Sequence, residues 1–149
     1  MGESEYLYLS HNVSNIVYHL VFPAKYRRVV FDNKKIEEHL RQICLEIEKR
    51  YDYIIFLEIG VDKDHVHFLI QSTPNYAPSK IVQIIKSITS RQIYVECPEV
   101  KKKLWGGQFW SDGYFVAIVG KNQNEEVTRE YVKNQSKQDA EYKQIYLKL

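Results

Sequence analysis

The hydrophobic positions of this chain recur with two periods, and their alternation predicts a strand–helix–strand–strand–helix–strand order. Ile16 to Phe22 is an apolar run that reads as a buried strand, ended by Pro23. Ile36, Leu40, Ile43, Cys44 and Ile47 follow at helical spacing, with Lys35, Glu37, Glu38 and Arg41 on the outside. Asp32 or Asn33 supplies a side-chain oxygen to cap that helix. Tyr53 to Val61 is rich in aromatic and β-branched residues, with Gly60 marking its end, and Asp62-Lys63-Asp64 is a link short enough for a hairpin into a strand from Val66 to Gln71. Residues 73–79, with Pro74 and Pro78, form a loop. Pro78 then opens a second amphipathic helix carried by Ile81, Ile84, Ile85 and Ile88, which Cys97-Pro98 closes. Lys101, Lys102 and Lys103 begin an exposed connection, residues 105–110 form a turn anchored by aromatics, and Phe115 to Val119 is a last short strand. Residues 125–138 have helical composition, with Val127, Tyr131 and Gln135 each four apart.

That order is the split βαβ pattern. The fold class it predicts is α+β, ferredoxin-like (RRM-like): an antiparallel sheet with helices on one face, plus an appended C-terminal helix carrying Tyr131. Residues 1–149 are expected to form a single domain, with 124–149 as a C-terminal helical element that can pack on a partner subunit. The sheet's second face is left open, and the strand from Val66 is expected near its centre.

Within this frame His65 and His67 stand out. Residues i and i+2 of a strand project to one face, so both imidazoles point together while Val66 and Phe68 turn to the other side. Two imidazoles side by side are half of a metal site or, more plainly, a polar stripe; two ligands alone hold a metal weakly and need a third. Tyr131 and Gln135 share a helix face, so a glutamine carbonyl oxygen could complete such a site with a tyrosine one turn away. Glu58, Asp62 and Asp64 are nearby carboxylates, any of which could orient a histidine. Asp64 is expected to face away if the strand already runs there. His19 reads as a packed or hydrogen-bonded histidine.

Composition narrows the classes. Hydrophobic residues make up 44% of the 149, enough for a core, and the net charge of +2 permits nucleic-acid binding only where positive charge is clustered. Candidate clusters are Lys25, Tyr26, Arg27 and Arg28 after the first strand, Lys80, Lys86 and Arg91 on the second helix, and Lys101 to Lys103. Lysine and arginine neutralise phosphates, and aromatic rings stack on unpaired bases. Cys44 and Cys97 lack metal or redox spacing and read as buried thiols. No apolar run approaches the ~20 residues that span a bilayer, and the first residues do not resemble a signal peptide. A cytoplasmic location without membrane partners is expected.

Taken together, Tyr18-His19-Leu20-Val21-Phe22, Lys25-Tyr26-Arg27-Arg28, Asp64-His65-Val66-His67-Phe68-Leu69, Trp105-Gly106, Phe109-Trp110-Ser111, Gly113-Tyr114-Phe115-Val116 and Tyr131-Val132-Lys133-Asn134-Gln135 resemble the HUH single-strand transposases of the insertion-sequence 200/605 family. Those enzymes carry one catalytic tyrosine. The resemblance implies His65, His67 and Gln135 as ligands of Mg2+ or Mn2+, and Tyr131 as nucleophile. It implies cleavage and rejoining of single-stranded DNA through a 5′-phosphotyrosine intermediate, with recognition of hairpins near element ends. It also implies a homodimer in which the tyrosine helix can complete the partner's site. The residues after Gln138 match nothing in the pattern. Magnesium prefers oxygen ligands, whereas two imidazoles and an amide suit manganese, cobalt or zinc better. Metal binding is therefore expected to be weak until DNA phosphate adds negative charge. Two other readings fit part of the pattern: a palindrome-processing or replication-type nicking enzyme, and a non-catalytic ferredoxin-like module that binds nucleic acid.

Overall fold

The computed structural model describes residues 6–9, 12–104, 107–119, 129–130 and 132–133. A two-stranded hairpin comes first, β1 (Leu7–Tyr8) against β2 (Val13–Ser14), which the apolar pattern did not predict. The main body follows as β3 (Ile16–Pro23), α1 (Lys34–Arg50), β4 (Ile55–Val61), β5 (His65–Ser72), α2 (Pro78–Glu96), α3 (Pro98–Lys103) and β6 (Phe115–Val119). The four long strands form one antiparallel sheet in the order β4-β5-β3-β6. This is the expected ferredoxin-like arrangement, with β5 in the interior of the sheet.

Local chemistry explains the element ends. Asn33 caps α1 by accepting the Lys35 backbone N–H at 2.9 Å. Pro78 stands in the first turn of α2, where its missing N–H costs nothing. Lys101 to Lys103, expected to begin an exposed connection, are exposed but lie on a helix. Pro98 starts a further short helix, α3, and Val100 is the apolar residue that ties it to the core.

The helix face of the sheet is the main core. Tyr18, Leu20 and Phe22 of β3, Phe56 and Ile59 of β4, and Val66, Phe68 and Ile70 of β5 pack with Ile36, Leu40, Ile43, Cys44 and Ile47 of α1 and Ile81, Ile85 and Ile93 of α2. Phe22 and Phe68 meet edge to face at 5.0 Å between centroids. At the sheet's end, Phe31, Phe109 and Trp110 close the core, and the Trp110 indole N–H donates to the Thr89 hydroxyl at 2.8 Å. Cys44 and Cys97 are buried free thiols, as composition suggests.

The opposite face is not merely exposed. Val17, Leu57, Leu69 and Val119 form a second buried cluster there. A register shift between Phe56 and Glu58 places a bulge in β4, and the Leu57 carbonyl at that bulge lies 3.4 Å from the Arg129 guanidinium. Arg129, Glu130, Val132 and Lys133 are helical, in line with the helical composition there. Tyr131, Gln135 and the remainder of the 124–149 element lie outside the described residues, as do Trp105 and Gly106. Among the described residues, no helix is long and apolar enough to cross a membrane.

Candidate metal and phosphate site

The alternation of β5 places His65 and His67 on the face away from the helices, because Val66 and Phe68 belong to the main core. Their ring centroids are 5.3 Å apart. Both are buried, His65 at 2% and His67 at 0% relative exposure, so they are not a solvated polar stripe. His67 lies directly across from Val21 on β3 and Gly60 on β4. Gly60 therefore falls inside β4, and no side chain from that position crowds the ring.

Each ring is held by its Nδ1 atom. His65 Nδ1 is 2.7 Å from Asp64 Oδ1. Asp64 would face away only if the strand already ran there, and that condition is not met because β5 begins at His65. Asp64 is still in the turn, and its carboxylate bends back to the ring. Its other oxygen accepts from Arg27 Nε at 3.1 Å. Asp62 Oδ2 lies 3.8 Å from His65 Nε2 and brings a second carboxylate to the same ring. His67 Nδ1 is 2.9 Å from Nε2 of His19, a buried residue of β3.

Burial keeps these histidines neutral. It pushes the pKa of His19 down to about 4. It also holds His67 well below the ordinary histidine value, reinforced by the neighbouring His19 and His65 rings. His65 is lowered by burial too, against the opposing hydrogen bond and charge of Asp64. The His65–Asp64 contact at neutral pH is therefore a hydrogen bond from a neutral ring rather than an ion pair. A carboxylate only accepts, so His65 carries its proton on Nδ1 and its lone pair on Nε2. A neutral imidazole nitrogen is the form that binds metals.

Arg27 reaches Asp64 from an unusual turn. Tyr26 and Arg27 adopt φ values of 58° and 53°, a left-handed conformation that costs L-residues about 1–2 kcal/mol each. The turn is pinned on both sides: the Ala24 N–H donates to the Asp64 carbonyl, and the Lys25 N–H to the Phe109 carbonyl. Strain held this way is found where a side chain must be aimed.

The other basic candidates divide. Lys25 Nζ lies 3.4 Å from Gln108 Oε1 and 3.9 Å from Asp112. Half-buried Lys86 donates to the carbonyls of Ser111, Asp112 and Gly113 at 2.7, 3.2 and 3.3 Å, and its ammonium sits 5.4 Å from the Phe22 and Tyr114 rings. Lys86 thus braces the 111–113 loop, and burial lowers its pKa. Lys25 and Lys86 meet around that loop beside the exposed Tyr26 ring. Arg28 is half-buried, while Lys80, Arg91, Lys101 and Lys102 are exposed on helices and Lys103 pairs with Asp32 at 3.5 Å. The sequence reading missed His19 as a member of the site. Its signal was present only as the strand register, which sets His19 one step diagonally from His67.

As donors, two neutral imidazole nitrogens suit a divalent ion such as Mn2+ better than Mg2+, which prefers oxygen. Among the described residues, no group of three His, Cys, Asp or Glu side chains is arranged to hold a metal ion, so the set accounts for part of a coordination shell.

Comparison with known proteins agrees with this architecture. Residues 12–135 match the family model described as "Transposase IS200 like". The ISDra2 transposase TnpA of Deinococcus radiodurans is 30% identical over 123 residues, covering 83% of this chain and 86% of that protein. The transposase for insertion sequence element IS200 of Salmonella typhimurium is 31% identical over 140 residues, covering 92% and 88%. A crystal structure of a candidate transposase from Deinococcus radiodurans R1 superimposes with a TM-score of 0.64 at 25% identity, over 91% of this chain and 95% of that one. A REP-associated tyrosine transposase bound to a REP hairpin shares the fold, with a TM-score of 0.57 at 12% identity, over 89% and 70%.

Proposed function

Because the chain belongs to the IS200-like transposase family, we propose that it cuts and rejoins single-stranded DNA with Tyr131 as nucleophile, at a phosphate held by a divalent ion on His65, His67 and Gln135. The observation that carries this reading is the buried, neutral histidine pair on the sheet's open face, with the lone pair of His65 directed by Asp64. A solvated stripe would need neither burial nor that bond.

Bound Mg2+ or Mn2+ would draw charge from the phosphate oxygens and orient the phosphorus for in-line attack. The protein's own part follows from its side chains. Tyrosine ionises near ~10, so Tyr131 is a weak nucleophile unless it is aligned with a polarised phosphate. Its phenolic oxygen forms a bond to phosphorus, the bond to the 3′-oxygen breaks, and the phenolic proton ends on the departing 3′-hydroxyl. The phosphotyrosine ester left on the 5′ end is close in energy to the bond broken. Attack by another 3′-hydroxyl then rejoins a strand and returns the proton to tyrosine, with no ATP. Buried His65 and His67 stay neutral throughout, and Arg27 holds Asp64 aimed at His65.

Hairpin recognition, for which the neighbour bound to a REP hairpin is a precedent in fold alone, would use Lys25, Tyr26 and Arg28 beside the site. Lys80, Arg91 and Lys101 to Lys103 would hold more distant phosphates. Homodimerisation, in which residues 124–149 can complete the partner's site, belongs to the same reading. It is supported by β6, an edge strand whose Ile118 is 75% exposed.

The experiment is a covalent-adduct assay on single-stranded hairpin DNA with Mn2+. The wild-type protein should become covalently attached to the 5′ end of the fragment that lies 3′ of the cut, and Tyr131→Phe should form no such adduct. An adduct in the phenylalanine variant would remove Tyr131 from the nucleophile role. Metal-independent hairpin binding without any cleavage would favour the non-catalytic module instead.

A further inference from the structure

The two metal-facing histidines are anchored by different partners. His65, at the rim, is held by a carboxylate that is 25% exposed and neutralised by Arg27. His67, fully buried in mid-strand, is held by another imidazole. We infer that His19 is a positioning residue for the metal site: its Nε2 accepts the Nδ1–H of His67 and fixes that ring in the tautomer that presents Nε2 to the ion. The inference rests on the metal reading above and extends it to a residue outside the HUH triplet.

The geometry supports a directed bond. The His19 and His67 planes differ by 25° with centroids 5.1 Å apart, and the facing nitrogens are 2.9 Å apart. That separation is the ordinary length of a hydrogen bond. One proton lies between the two nitrogens. If His19 supplied it, His67 would carry its own proton on Nε2 and could not bind a metal there. If His67 supplies it, Nε2 keeps its lone pair. Phe115 packs edge-on against His19 at 5.6 Å and helps hold the ring in place.

The choice of partner follows from burial. A carboxylate at position 19 would be an ionised group at a site only 6% exposed. The cross-strand neighbours of that position are Leu69 on β5 and Ala117 on β6, neither of which carries charge. Desolvation would oppose the anion. A neutral imidazole accepts the same hydrogen bond without importing charge. The rim position uses an anion and the interior position a neutral acceptor, and both orient an imidazole through its Nδ1.

The test begins with the unaltered protein, free of metal. Ring-nitrogen NMR correlations should show His67 protonated at Nδ1, and a proton on Nε2 would overturn the inference. Mn2+ affinity, read by EPR, is the second measurement. His19→Gln keeps an acceptor oxygen and should bind Mn2+ within a few-fold of wild type. His19→Leu keeps only bulk and should bind about 10–100-fold more weakly. Equal losses in both variants, or none in either, would show that position 19 serves packing alone. If the leucine variant does not fold, the wild-type tautomer decides. Failure of the wild-type protein to bind Mn2+ at all would instead sink the metal reading, and the His19 role with it; the tautomer, read without metal, keeps the two failures distinct.

Discussion

Two faces of one sheet, built from alternate residues of the same strands, do different work. Towards the helices, β5 presents Val66, Phe68 and Ile70 to an apolar core with no polar obligation. Away from them it presents His65, His67 and Leu69, equally buried, with the two imidazoles bound by directional contacts to Asp64 and His19. Burial on the first face yields stability through area and packing. Burial on the second removes water from imidazoles and keeps them neutral, which is the condition for binding a cation. The same low exposure thus has two meanings, set by which residue of the alternation is polar.

Substitutions one residue apart should separate these meanings most sharply. His67→Ala should abolish cleavage of single-stranded DNA. Phe68→Ala should cost about 3–5 kcal/mol of folding stability by denaturant titration, while whatever remains folded still cleaves. If the histidine variant keeps cleaving, or the phenylalanine variant loses activity with full stability, the division between faces is wrong.

Next in size is the rim anchor. Asp64→Ala should weaken Mn2+ binding about 10–100-fold by EPR titration. Arg27→Ala should act in the same direction and less, because the carboxylate remains. Equal affinity in all three proteins would make the Arg27–Asp64–His65 chain a structural ornament.

A pH dependence of stability should follow from the histidine face. His19, His65 and His67 all titrate below the ordinary histidine value of ~6.5 when folded. Between the folded and unfolded values the unfolded chain binds more protons, so unfolding free energy rises with pH. Their contribution is complete above about 6.5 and is lost as pH falls, for His19 down to about 4. Melting temperatures across this window should fall on acidification, and less steeply in His19→Gln. An unchanged slope in that variant would contradict the burial argument.

The smallest effect belongs to the core face. Trp110→Phe removes the indole N–H donated to Thr89, a loss of about 0.5–1.5 kcal/mol in chemical denaturation. Thr89 still donates to the Ile85 carbonyl at 2.6 Å, so its hydroxyl is not stranded. Cleavage should be unaffected, and a loss of cleavage would show that the helix side reaches the chemistry.

The core face was the more legible of the two from sequence. Ile36, Leu40, Ile43, Cys44 and Ile47 announce a helix by spacing alone, and all five are buried where that spacing puts them. The His65/His67 pair was legible as sharing a face because the period of a strand is local. What local pattern could not carry was register. Whether His19 meets His67 depends on how β3 slides along β5, which is fixed by the whole sheet. Asp64 turned out to hold His65 because the strand starts one residue after it, and strand ends are set by turn contacts such as the Ala24–Asp64 bond. The short α3 was hidden by its lysines, since one buried Val100 is too little to announce a period. The β1–β2 hairpin is too short to show alternation at all. The assignment of Tyr131 and Gln135 rests on resemblance, because a tyrosine four residues before a glutamine occurs on many helices, and both lie outside the described residues.

The most direct test of the division between faces is cleavage of single-stranded hairpin DNA by His67→Gln, with Mn2+ and well below its melting temperature, alongside hairpin binding by the same protein. No cleavage with hairpin affinity near wild type is the expected result. Wild-type cleavage by that variant would mean that the buried imidazole on the open face does not handle the phosphate.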